Sequence, residues 1–392
     1  MNDCDPDADQ APDEIDEAVR LDAEAGLLLE EGRQAEAEGF YARAIEILER
    51  AAGKDHPDLA NVLNHLAVLR IFRGEPAIAE GLARRSLGIV EGILESPERR
   101  EEAALDEETV AAIEAIRRQS LGNLGTALRS QGRYEEAEGL LQRAVALARE
   151  ALPPDDPELA RCLNDLGVAY KYWGKYDQAE RAYREARDIL EKRKGEEQAA
   201  YSGILYNLAG LAHARGEYGQ AEPLAREALA IRQKVLPPSH PDTAVNEMTL
   251  GAILDGLGRG EEALDLFRRS LATFEKVYGP EHPDVAVNLA SQASVIQARG
   301  DLAEAERLYL RSIQIREKAL GPDHPSLGIP LNNLALLYRD TGRPAEARRC
   351  FRRAVAILEE SVGKEHPDYR ACAANLQDLL GKRGGRRRTR GA

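Results

Sequence analysis

The side chains in this chain best suited to chemistry are its histidines, and most of them fall into one pattern. Five of the seven (His56, His240, His282, His324 and His366) stand directly before a proline, and the last four are spaced 42 residues apart. Zinc needs ligands that converge on one point. Residues strung at fixed intervals along a chain do not converge, so these histidines read as parts of a structural linker, and no metal or other cofactor is expected. Cys4, Cys162, Cys350 and Cys372 are far apart and form no C-x-x-C pair. They read as small buried thiols in a reducing compartment. Gly256-Leu-Gly258-Arg-Gly260 is glycine-rich but follows no strand, so a turn is expected there and not a phosphate cradle. G-x-x-x-x-G-K-[ST], H-E-x-x-H and G-x-S-x-G are absent from the sequence. With no nucleophile, base and oxyanion site brought together, the chain is not expected to be an enzyme.

The elements that must position any functional side chain are set by an internal repeat. Gly132, Gly174, Gly216, Gly258, Gly300 and Gly342 are each 42 residues apart, as are Gly32 and Gly74. The step from Gly74 to Gly132 is 58 residues, one period with 16 extra residues near 94–109. A fixed period of this length marks a stacked array. Five residues after each glycine stands an alanine: Ala37, Ala79, Ala137, Ala179, Ala221, Ala263, Ala305 and Ala347. This predicts a helical hairpin, with Gly where the chain leaves the first helix and Ala where the second helix crosses closely. Large side chains return four residues later at Tyr41, Leu141, Tyr183, Phe267, Tyr309 and Phe351. Linkers such as Glu281-His282-Pro283-Asp284 place proline in the first turn of the next helix, with an acid at the positive end of its dipole. The pattern yields eight hairpins over residues 16–381, ending in one further first helix that caps the array. The 16 extra residues, broken at Pro97, either lengthen the flanking helices or form a solvated loop.

The net charge of −15 over 392 residues argues against a nucleic-acid-binding body. Residues 1–15 are acidic and residues 382–392 are basic, and both stretches lack apolar residues to bury, so both are expected to be disordered. No run of about 18 apolar residues suggests a membrane span, and the polar N-terminus does not read as a secretory signal. A cytoplasmic location and no membrane partner are expected.

The Gly–Ala–aromatic–small spacing resembles the tetratricopeptide repeat. The 42-residue period, the His-Pro-Asp linkers and phrases such as Leu331-Asn-Asn-Leu-Ala-Leu-Leu-Tyr338 resemble its kinesin-light-chain subtype. The resemblance implies an all-α, right-handed α-solenoid of about eight hairpins plus the capping helix, with first helices lining a concave groove. It further implies a protein-interaction scaffold or adaptor that holds a partner peptide in that groove. The alternative is a regulatory subunit or sensor of an enzyme or signalling complex, with the basic tail contacting nucleic acid. Carried over by register, the groove residues are Asn64, Asn123, Asn164, Asn207, Asn333 and Asn375, nine or ten positions before each glycine. Arg129, Lys171, Tyr172 and Arg339 lie further along the same face. Amide side chains both donate to and accept from a peptide backbone, and the cations would steer in an acidic peptide unless Asp165, Asp255 and Asp340 neutralise them. The carboxylate clamp of chaperone-tail binders is disfavoured, because Asp165 stands where that clamp needs Asn and Gln119 where it needs its first Lys.

Overall fold

The structure is a computed structural model that describes residues 11–30, 33–96, 105–193, 195–237 and 239–388. Among these residues there are helices and no strands. The chain divides into two compact units, 1–169 and 170–392. In the first lie α1 (Ala11–Glu30), α2 (Gln34–Ala51), α3 (Pro57–Phe72), α4 (Pro76–Leu94), α5 (Glu107–Ser130), α6 (Tyr134–Ala151) and most of α7 (Pro157–Tyr172). The second contains α8 (Tyr176–Glu191), α9 (Gln198–Ala214), α10 (Tyr218–Val235), α11 (Pro241–Gly256), α12 (Gly260–Tyr278), α13 (Pro283–Ala298) and α14 (Leu302–Leu320). It ends with α15 (Gly328–Asp340), preceded by a 3-10 turn at Pro325–Leu327, then α16 (Pro344–Ser361) and α17 (Pro367–Arg388). Odd-numbered helices are the first members of hairpins, even-numbered ones their partners, and α17 stands alone at the end.

From the second hairpin on, each turns on its register glycine; Gly32 lies outside the described residues. Gly132 and Gly258 have φ of 78° and 77°, a left-handed conformation that costs little only without a Cβ. All eight register alanines are 0 % exposed. The large residues four positions later are buried as well, Tyr183, Phe267 and Phe351 at 0 %. They pack onto small residues of the first helix. An added Cβ on Gly125 would lie 2.6 Å from Leu141, and one on Gly251 2.8 Å from Phe267. Burial of these stripes, at about 25 cal/mol per Å² of apolar area, is the main force holding each hairpin and its neighbours together.

Two polar devices complete the repeat. In the linkers, the histidine is the N-cap of the following helix: Nδ1 of His240, His282 and His366 accepts the N–H of Asp242, Asp284 and Asp368 at 3.1, 3.2 and 3.1 Å. Where the linker has no histidine, Asp156 Oδ1 accepts from the Glu158 N–H at 2.8 Å. Across neighbouring hairpins, a glutamate six residues after the register glycine accepts from an arginine in the next turn. Arg133–Glu80 (2.8 Å), Arg259–Glu222 (2.7 Å) and Arg343–Glu306 (2.8 Å) repeat this staple.

The expectations about the two ends need adjustment, and the insertion takes one of its two expected forms. Within the acidic stretch 1–15, residues 1–10 lie outside the described residues and α1 already begins at Ala11, with Asp13 and Glu14 in its first turn where the dipole favours acids. Within the basic stretch 382–392, the backbone stays helical to Arg388 where disorder was expected. Residues 389–392 lie outside the described residues. The extra residues lengthen the first helix: α5 has 24 residues where α3 has 16. Asp106 caps its start, its Oδ1 accepting from the Thr109 N–H at 2.8 Å. Residues 97–104, around Pro97, lie outside the described residues. Among the described residues no helix is long and apolar enough to cross a membrane.

Candidate functional site

The first helices of unit 1 enclose a cavity of about 700 Å³. Three of them line it and no second helix does. α3 supplies an apolar wall of Val68, Ile71 and Phe72, α5 a floor that includes Ile116, Asn123 and Arg129, and α7 a charged wall of Glu158, Arg161 and Asp165. The ring of Phe72 is 64 % exposed beside this space. On the charged wall, Glu158 is held by the buried guanidinium of Arg118 through two hydrogen bonds of 2.8 and 3.0 Å. Asp165 is different. Burial raises its carboxyl above the usual range, against the opposing pull of Arg161 and Arg129. Arg161 reaches Asp165 and Glu158 only at 3.5 Å.

The expected groove residues separate by one position of register. Those nine residues before the glycine are partly exposed: Asn123 lines the cavity, and Asn207, Asn333 and Asn375 hold the equivalent place in α9, α15 and α17. Those ten residues before it have turned about 100° further round the helix. Asn64 is 0 % exposed and donates to Ser120 Oγ at 2.9 Å, so it bridges α3 to α5 and does not face the cavity. Asn123 in turn donates to the Asn64 carbonyl at 3.2 Å. Asn164 is part-buried and hydrogen-bonds the Asp165 carboxyl. In α15 and α17, Asn375 donates to Asn332 Oδ1 at 2.9 Å, and Asn332 donates to Asn333 Oδ1 at 3.3 Å. These amides spend part of their capacity between helices.

The cations three residues before the glycine differ from one another. Arg339 is paired with Asp340 at 2.8 Å and lies 4.0 Å from Asp378. Arg129 shares the field of Asp165. Lys171 makes no ion pair among the described residues; its ammonium lies 5.4 Å from the ring centre of Tyr172, which is 50 % exposed. The sequence reading missed most of the cavity lining, including Asn61, Val68, Phe72, Ala115 and Arg161. The signal was available: continuing at steps of three and four from His65, nine residues before Gly74, and from Asn123 and Asp165 along their own first helices reaches them. Among the described residues no group of three or more His, Cys, Asp or Glu is placed to hold a metal ion.

Comparison with known proteins fits this geometry. A family model described as tetratricopeptide repeat matches residues 19–91, 117–192, 201–276, 287–360 and 329–385. No curated protein sequence matches the chain. Among solved structures, NprR in complex with its cognate peptide NprX is similar at 15 % identity and a TM-score of 0.55, over 85 % of this chain and 83 % of that one. A Rap protein complexed with competence and sporulation factor is similar at 14 % identity and a TM-score of 0.54, over 94 % and 98 %. Repeats of a Podosopora anserina kinesin light chain are 25 % identical over 52 % of this chain and 95 % of that one, with a TM-score of 0.43. At these identities the likeness to NprR and Rap is one of fold.

Proposed function

Because the chain belongs to the tetratricopeptide repeat family, we propose that it is a non-enzymatic interaction scaffold that holds a peptide segment of a protein partner against its first helices. The observation that carries this reading is the unit 1 cavity, walled by three consecutive first helices, apolar on the α3 side and charged on the α7 side. A rigid, preformed surface of this kind keeps the ordering cost of binding on the ligand. Asn123 and Arg129 meet the peptide there. In unit 2, Asn207, Asn333 and Asn375 offer amides in the same register, and Lys171 and Tyr172 offer a cation and an aromatic face. Support comes also from two structures that share the fold, NprR in complex with its cognate peptide and a Rap protein complexed with competence and sporulation factor. Within the family, the period and the His-Pro-Asp linkers favour the kinesin-light-chain subtype.

The test is affinity capture on the full chain, with mass spectrometry of the retained proteins, in parallel with a variant carrying Phe72→Ala and Asn123→Ala. Partners retained by the parent and lost by the variant support the reading. Retention that ignores both substitutions refutes the assignment of the cavity.

A further inference from the structure

The amide of an asparagine recognises any peptide backbone and so says little about which peptide binds. Charge says more, and most charge on the first-helix faces is already matched. In unit 2, Arg339 is held by Asp340, and Asp242 at the start of α11 lies 3.3 Å from Arg232 of α10. Lys171 stands apart. It is half-buried, makes no ion pair among the described residues, and its ammonium is admitted by a glycine on the neighbouring first helix: a Cβ on Gly210 would lie 2.9 Å from Nζ. Any other residue at that position would displace the ammonium.

Among the described residues no carboxylate lies within ion-pair distance of this ammonium; Asp242 and Asp284 act on the nearby Tyr206, and Asp242 is itself 3.3 Å from Arg232. His213, at the equivalent position of the next repeat, is held below the usual histidine range by burial first and by Lys171 second, so near neutral pH it adds no competing cation. Tyr206, one turn before Gly210, is pushed up to about 12 by burial and stays a neutral phenol. Tyr172 presents a half-exposed ring beside Lys171. The backbone beneath that ring is fixed, because the carbonyl of Tyr172 is bonded by His366 at 3.1 Å. A half-buried cation with an aromatic neighbour and no acid of its own is complementary to a carboxylate carried next to an apolar side chain.

We propose that unit 2 contains a carboxylate-binding site at Lys171, which takes one acidic group of the partner peptide while Tyr172 covers the apolar side chain beside it. This rests on the peptide-scaffold reading and adds the partner's chemistry to it. The carboxylate is either an Asp or Glu side chain or a chain terminus. Lys171 lies three residues before its register glycine, a single point of recognition and not a clamp.

The experiment is an in vitro selection of random-sequence peptides on the full chain, followed by titration of the enriched peptides and read out by calorimetry and by the fluorescence of Trp173, the only tryptophan. The expected result is enrichment of a carboxylate at a fixed distance from an apolar residue. Lys171→Met should then weaken the enriched peptide about tenfold or more, the range for a hydrogen bond to a charged group, and Lys171→Arg should recover most of the loss. Gly210→Ala should weaken it in the same direction. Replacing the acid by its amide should cost the same on the parent and nothing further on Lys171→Met. Glu→Gln replacement and C-terminal amidation of the peptide, tested separately, show which carboxylate is bound. Peptides enriched without any fixed acid, or bound equally by Lys171→Met, overturn the site and leave the scaffold reading standing. A selection that enriches nothing overturns both.

Discussion

The imidazole Nε2 of His366 lies 3.1 Å from the backbone carbonyl oxygen of Tyr172, a contact across 194 residues within unit 2. A carbonyl only accepts, so Nε2 carries the proton and donates. The other ring nitrogen, Nδ1, accepts the N–H of Asp368 at 3.1 Å and caps α17. Both nitrogens of one neutral imidazole are therefore used, one for the cap and one to dock the start of α17 on the turn that follows α7. The His366 side chain is 7 % exposed, against 31 % and 20 % for His56 and His282.

That docking depends on a glycine. A Cβ on Gly174 would lie 2.7 Å from Pro367 Cδ and 3.2 Å from the His366 ring. Gly174→Ala should lift the start of α17 from the turn, and amides 368–372 should exchange faster with solvent. Gly216 has the same positive φ, 76° against 78°, and nothing near its absent Cβ, so Gly216→Ala carries the backbone strain without the clash. Equal exchange in α17 for the two variants would remove the docking role of Gly174.

The cap should be the main contribution of the linker histidines other than His366, although the His282 ring also stacks on Tyr278 with ring centres 4.3 Å apart. His282→Ala leaves the first turn of α13 without its acceptor and should cost about 1 kcal/mol, while His282→Asn, which can accept in the same place, should cost much less. Thermal melts of the two variants decide it. An alanine variant as stable as the parent would mean that the 3.2 Å contact to Asp284 contributes nothing.

Close packing predicts the next outcome. Ala305 is 0 % exposed in a core that also holds Tyr309 and Ala347. Ala305→Leu adds three carbons where there is no room, and the expected loss is about 1–3 kcal/mol. A melting temperature equal to the parent's would show that the helices can separate at that point.

The repeat was legible because backbone geometry leaves few choices. Only glycine turns cheaply at the end of a first helix, and only a small residue tolerates the crossing, so Gly174 and Ala179 announce themselves. The candidate site was legible only in part. Register alone placed both Asn64 and Asn123 on the recognition face, but adjacent helical positions point about 100° apart, and that difference buries Asn64 against Ser120 while Asn123 lines the cavity. Pairing was harder to read. Arg129, Lys171 and Arg339 are equivalent by register; the partner of Arg339 is its sequence neighbour Asp340, but that Lys171 has no such partner is a fact of tertiary contact. The contact of His366 with Tyr172 was outside reach altogether, since nothing local in either segment encodes it. The inter-hairpin staple of Glu80 and Arg133 was readable in principle, because glutamate recurs six residues after most register glycines.

That staple gives the last prediction. Glu80 accepts from Gln131 Nε2 at 2.9 Å, from Arg133 at 2.8 Å and from Arg84 at 2.8 Å. Burial works to raise its carboxyl, but these hydrogen bonds and the charge of Arg133 win and hold it down at about 2, against an ordinary 4.5. A carboxyl whose folded-state value is depressed stabilises the fold above its unfolded value, and that contribution is lost as pH falls through the folded one. The stabilisation from Glu80 is therefore complete above about 4.5 and disappears between 4.5 and 2. Glu36 and Glu136 are also depressed, by hydrogen bonds from Arg33 and Arg133, so acid will destabilise the parent for several reasons at once. Comparison with Glu80→Gln isolates one of them. The stability gap between parent and variant should be widest near pH 7 and narrow steadily from pH 4.5 to pH 2, as measured by urea unfolding at each pH. A gap that stays constant across that window would show that Glu80 contributes through its shape and hydrogen bonds alone, with its charge counting for nothing.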